Sequence, residues 1–264
     1  MRAVPESLDP AVVSEIDARL DDLGVAIPWA IESDSRAWGF PSPDSDYDCR
    51  FFFVRRHDDY LTPWPKRDVI ETPLDKIFDV NGWDLIKAVR LLLRGNAVVT
   101  EWLRSPIVYT GDPEFRDGFL ELAGQVANRA LIGRHYFHIG RNQWNSRADD
   151  MSLKKIFYSL RPAAVLRWMA DHPHDLTPPM NLQELLAETD VPADLLAETE
   201  QLLALKAETR EIGTGHVPPT IARFVDEEFE RADEMFEHSE AWVPQQSRDL
   251  ASAWFREAVE KYGR

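Results

Sequence analysis

The residues best suited to chemistry lie in one acidic segment, Glu32 to Arg50, which reads ESDSRAWGFPSPDSDYDCR. If the chain is extended from Tyr47 onward, Asp46 and Asp48 project to the same face of a sheet, because strand side chains alternate with period two. Their Cα atoms would then stand about 7 Å apart. Two carboxylates at that spacing repel each other unless a cation lies between them. Magnesium takes one or two carboxylates, several waters and substrate phosphate oxygens, which is what such a pair offers. The competing explanation is a polar edge strand that merely carries acids. A calcium loop fails: Asp44, Asp46 and Asp48 fit its positions 1, 3 and 5, but Cys49 stands where Gly is needed and Arg55 where Glu is needed.

Further along, Lys154, Tyr158 and Arg161 share one face of an expected helix, with Lys155 beside them. In an acidic chain these cations could balance a triphosphate; the alternative is that they pair with acids or cover apolar surface. His135 and His138 are three apart, and His172 and His174 flank Pro173. Neither pair has further ligands at transition-metal spacing, so no such site is expected. The acidic run Asp226 to Glu240 reads as a solvated helix face.

The elements that must position these residues follow from periodicity. Asp9 and Pro10 open a helix whose Val13, Ile16 and Leu20 share a face, and Gly24 ends it. Val25–Ile31 is a short apolar run that reads as a buried strand, and Tyr47–Val54 reads as a second. Val69–Ile70 and Ile77–Val80 are the third and fourth candidates. From Trp83 the period becomes helical, with Leu85, Ala88, Val89 and Leu92 on one face and Gly95 at the end. Val98–Leu103 is a short helix stopped by Ser105 and Pro106. Helices are then expected over 114–140, 152–171, 181–188, 193–209, 219–239 and 246–261, with Pro162 kinking or breaking the second. The fold class is α+β: a small mixed sheet with flanking helices over residues 1–112, then an all-helical region over 113–264.

Composition narrows the function classes. The 264 residues include 30 Lys plus Arg against 46 Asp plus Glu, a formal charge of −16. That argues against general DNA or RNA coating, which needs a basic surface, though not against a local basic pocket. Cys49 is the only cysteine, so no disulfide forms within the chain. Residues 1–25 show no basic start or apolar stretch of a leader, and no segment is apolar for long enough to span a membrane. The expected location is the cytoplasm.

The motif Ser35-Arg36-Ala37-Trp38-Gly39 followed by Ser45-Asp46-Tyr47-Asp48 resembles the polymerase-β-type nucleotidyltransferase superfamily. Asp79 to Lys87, Arg94 to Asn96, Glu101 to Pro106 and Lys154 to Pro162 resemble one branch of it, nucleotidyltransferases associated with RNA ligases. The resemblance spans roughly residues 25–210. It implies that Asp46 and Asp48 bind magnesium (or manganese), and that Asp79 supplies a third carboxylate and general base, with Glu71 and Asp75 as competitors. It also implies that Ser35, Arg36, Ser45, Lys154, Lys155 and Tyr158 bind a nucleoside triphosphate. The acceptor would be an RNA end, a protein side chain or a small molecule, and pyrophosphate would leave. Asp34 departs from the family, which has Gly there. Its carboxylate would oppose the triphosphate, so the alternative is a catalytically weak nucleotide-binding protein of the same fold.

Overall fold

The computed structural model describes residues 8–73, 77–145, 150–208, 214–236, 238–239 and 242–263. They form two compact units. One comprises residues 1–34, 46–127 and 242–264, the other 35–45 and 128–241. The first unit therefore takes in α5 (Pro113–Val126) and the C-terminal α11 (Gln245–Tyr262) in addition to the sheet. The division is thus more interleaved than one boundary at residue 112.

In the first unit, α1 (Pro10–Asp21) starts where the Asp9 carboxylate accepts the Ala11 N–H at 2.8 Å, satisfying a donor the helix leaves open. Five strands follow, β1 (Ala26–Glu32), β2 (Tyr47–Val54), β3 (Val69–Glu71), β4 (Phe78–Asp84) and β5 (Val108–Gly111), with the one-turn helix α2 (Asp34–Ala37) between the first two. Their order is β3-β4-β2-β1-β5. β2 and β4 run parallel, and the other pairs are antiparallel. The class is α+β with a mixed five-stranded sheet, as the sequence implied.

Each sheet face has its own core. Trp29, Ile31, Phe52 and Val54 pack under α3 (Leu85–Leu93), α4 (Val98–Arg104), α5 and α11. Ala30, Cys49, Phe51 and Phe53 pack under α1. Alternation along β2 therefore puts Asp48 and Arg50 on the same side as Phe52, towards the strand's N-terminal end.

Two expectations change here. β4 continues to Asp84 where helix was expected from Trp83, because β2 and β3 pair with it on both sides. Asp84 then accepts the Ile86 N–H at 3.1 Å and caps α3. β5 was not anticipated, since Ile107 to Tyr109 is too short an apolar run to declare itself.

The second unit holds α6 (Arg129–Gln143), α7 (Leu153–Asp171), α8 (Leu182–Ala187), α9 (Ala193–Glu208) and α10 (Pro219–Phe236). A short antiparallel pair, β6 (Asp150–Ser152) and β7 (Thr214–His216), adds a ribbon to an otherwise helical unit. The expected helix 114–140 is two helices, broken where the Asn128 side chain caps Ala130 and Leu131. Pro162 does not end α7, which runs on to Asp171. Its ring lies opposite Gly140, where an added Cβ would come within 2.9 Å of it and within 2.5 Å of the Phe229 ring. The acidic run on α10 is not wholly solvated, because Glu228 is buried and paired with Arg167 and Arg231. Burial raises the Glu228 pKa, and the two arginines oppose that shift.

Candidate active site

The acids assemble at one end of the β2–β4 pair. Parallel pairing sets Asp48 directly beside Asp79, then Arg50 beside Asn81, then Phe52 beside Trp83. The last pair lies under Trp102, with ring centroids at 5.2 Å from Phe52 and 4.1 Å from Trp83. One sheet face therefore grades from charged to apolar over three residue steps. The helices cover the apolar end and hold the strands in the register that brings the carboxylates together.

Arg50 stands among the acids. Its guanidinium donates to Asp48 Oδ1 at 3.0 Å, to Asp79 Oδ2 at 2.7 Å and to the Asp79 carbonyl at 2.8 Å. Asp34 Oδ2 is 3.9 Å away. Burial works against the Arg50 charge, but Asp48, Asp79 and Asp34 outweigh it and raise its pKa. The other Asp79 oxygen accepts from the Asn81 amide. Asp46, just before β2, is exposed.

Asp48 carries the electrostatic strain of the cluster. Its pKa is raised from 3.8 to about 7, first by burial, then by Asp34, with Asp79 and Asp46 adding and Arg50 opposing. One guanidinium does not offset four carboxylates. Behind the cluster, buried Glu32 accepts the Asp48 N–H at 3.1 Å and the Tyr109 hydroxyl at 2.5 Å. It thereby anchors the backbone that carries Asp48.

Asp34, where the sequence resemblance expects glycine, has φ 51°, the one non-glycine with positive φ among the described residues. The left-handed backbone that glycine would adopt freely is thus present, held by an aspartate, one of the few side chains that tolerates it.

In the second unit, the turn 35–45 gathers Ser35, Arg36 and Ser45. Ser35 Oγ and Ser45 Oγ are 3.1 Å apart, and Arg36 donates to the Ser45 carbonyl at 2.6 Å. Ser45 Oγ also accepts the Ser42 N–H at 2.9 Å. α7 packs on this turn: Tyr158 meets Trp38 edge-on at 5.1 Å, and Phe157 stacks on Phe40 at 4.9 Å. Lys154 lies over the Tyr158 ring at 5.5 Å, while Arg161 is buried over Trp38 at 4.8 Å. Lys155, on the same helix, is exposed. Arg161 thus covers one face of the Trp38 ring.

Of the competitors for the third acid, Glu71 is exposed and paired with Arg67 at 2.5 Å, and Asp75 lies outside the described residues. The residues that sequence reasoning missed are Arg50 and Glu32. Arg50 was detectable, since it follows Asp48 by two and must share its face. Glu32 was not, because its role depends on β5, which brings in Tyr109.

Among the described residues no group of three or more His, Cys, Asp and Glu is arranged to hold a metal ion, and Asp34, Asp48 and Asp79 face Arg50 instead. The donor chemistry nevertheless fits magnesium: the oxygens are hard, anionic and in excess of the counter-charge.

A family model described as the RNA repair pathway DNA polymerase beta family matches residues 9–257, so the chain belongs to that family of polymerase-β-type nucleotidyltransferases. The chain is also 34% identical over 222 residues to the Bacillus subtilis (strain 168) protein YcgL, an uncharacterized protein, covering 83% of this chain and 85% of that one. No described helix is long and apolar enough to cross a membrane.

Proposed function

We propose that the protein transfers a nucleoside monophosphate from a triphosphate to a hydroxyl acceptor and releases pyrophosphate. The observation that carries this reading is the side-by-side placement of Asp48 and Asp79 on parallel strands, with Asp46 two residues before Asp48. Asp46, Asp48 and Asp79 would hold magnesium or manganese, which when bound supplies charge stabilisation to the α-phosphate and its leaving oxygen. Ser35, Arg36, Ser45, Lys154, Lys155 and Tyr158 are the proposed triphosphate ligands. Asp79, oriented by Arg50 and Asn81, would accept the proton of the attacking hydroxyl. The acceptor is an RNA end, a protein side chain or a small molecule, and the expected location is the cytoplasm. Glu32 keeps the Asp48 backbone fixed throughout.

A second reading, a nucleotide-binding protein with little activity, is favoured by Asp34. After burial, its charge is the largest cause of the raised Asp48 pKa. Incubation with α-labelled triphosphates, magnesium and total RNA separates the two. Label transfer or pyrophosphate release in the wild type, absent from Asp46→Asn, supports the enzyme. Nucleotide binding with no transfer to RNA, protein or water supports the second reading.

A further inference from the structure

The first unit contains a cavity of about 610 Å³ between α3 and α11, on residues that the proposed chemistry does not use. Both helices present the same pattern to it. Ile86, Val89, Arg90, Leu93 and Arg94 recur at helical spacing on α3 and its C-terminal cap, and Arg248, Ala251, Ser252, Phe255 and Arg256 do so on α11. The floor is apolar and the rim carries four arginines.

These arginines are exposed and form no ion pair among the described residues. Elsewhere in the same unit, Arg19, Arg50, Arg55, Arg67 and Arg116 pair with acids, and Arg56 is exposed without an ion pair among the described residues. The segment 85–94 contains no acid, and Asp249, Glu257 and Glu260 fall outside the α11 positions that line the cavity. In a chain of charge −16, four guanidinium groups around one groove, without an ion pair among the described residues, make a local anion-binding surface. Arginine suits phosphate because its planar fork meets two oxygens at once. Arg90 and Arg94 lie one helical turn apart, so they can grip successive phosphates of one strand. The apolar floor, with the Phe255 ring, suits the faces of unpaired bases.

We infer that this groove binds the phosphodiester backbone of a single-stranded nucleic acid. That the strand is the acceptor of the transferred nucleotide rests on the function proposed above; the binding itself does not.

The test uses the full chain and fluorescence anisotropy with labelled single-stranded RNA and DNA 12-mers, across a salt series in EDTA. Four phosphate contacts predict a log–log salt slope of about −3. The pair Arg90→Gln and Arg94→Gln should lower affinity about tenfold at low salt and bring the slope to about −1.5, while the corresponding Lys pair retains most binding. A 2′-hydroxyl contact would appear as RNA binding more tightly than DNA; equal binding means that the backbone alone is read. The inference is overturned if the Gln variants bind the 12-mers as the wild type does. It is also overturned if pyrophosphate at matched ionic strength, or an oligoglutamate peptide, displaces the strand equally well. Triphosphate binding is measured in parallel by calorimetry, with magnesium in place of EDTA. A wild type that binds the strand but no triphosphate keeps the groove and loses the nucleotidyltransferase reading; the reverse result loses the groove alone.

Discussion

Replacing Asp48 with Asn should stabilise the metal-free protein, by an amount that grows from about pH 4 and is complete above about pH 7. In the fold the Asp48 pKa is raised from 3.8 to about 7, so between those values the native state holds a proton that the unfolded chain has released. Stability therefore falls as pH rises through this window, and the full penalty is present above pH 7. A shift of that size corresponds to about 4 kcal/mol, and the side chain is only 18% exposed, so solvent screens little of it. Asn cannot ionise and still offers Arg50 an acceptor. Allowing for relaxation around Arg50, a gain of about 2–4 kcal/mol at pH 8.5 is expected, which for a chain of this size raises Tm by roughly 4–12 °C. At pH 5 the unfolded chain has already released this proton while the fold keeps it, so only about a third of the gain is present and the Tm difference should shrink to roughly 1–4 °C. Scanning calorimetry in EDTA at both pH values measures the difference. If Asp48→Asn gave no extra stability at pH 8.5 relative to pH 5, the carboxylates would not be crowded as described. Magnesium at pH 8.5 should raise the wild-type Tm and leave that of the variant nearly unchanged.

The other predictions concern the neighbours of Asp48. Asp34→Gly relieves a left-handed backbone and removes a charge that, about 6 Å from a phosphate, opposes binding by roughly 3 kcal/mol. Calorimetry should show triphosphate affinity rising by up to about a hundredfold; unchanged affinity would mean that Asp34 faces away from the phosphates. Arg50→Met leaves Asp48 and Asp79 without their counter-charge, and denaturant melts in EDTA should show a loss of about 3–5 kcal/mol. Magnesium should restore much of that loss, and no rescue would argue that the acids cannot share a metal. Glu32→Ala removes the acceptor of the Asp48 N–H and the Tyr109 hydroxyl, which should cost about 2–5 kcal/mol in urea unfolding. A loss below about 0.5 kcal/mol would show that Glu32 is not an anchor.

How far the sequence revealed all this depended on whether a residue's role is local. The β2 boundaries and the shared face of Asp48 and Arg50 follow from alternation within one segment, and the caps at Asp9 and Gly95 from single residues. The pairing of Asp48 with Asp79 is not local. It requires a parallel strand 31 residues away in register, and only the motif resemblance hinted at it. Helix was assigned too early at Trp83 because Asn81 and Gly82 are poor strand formers; pairing on both edges overrides that preference. Glu228 looked solvated because its neighbours on α10 are acidic, whereas Arg167 on α7 turns it into a buried ion pair. The groove between α3 and α11 joins segments about 150 residues apart, so its arginines could not be grouped in advance.

The most direct measurement is an anomalous-scattering map from crystals grown with manganese and a non-hydrolysable triphosphate. A peak bonded to Asp46 and Asp48, with Arg50 drawn away from at least one of its carboxylates, is the predicted result. A bound triphosphate with no metal peak at these acids, and Arg50 still joined to both Asp48 and Asp79, would contradict it.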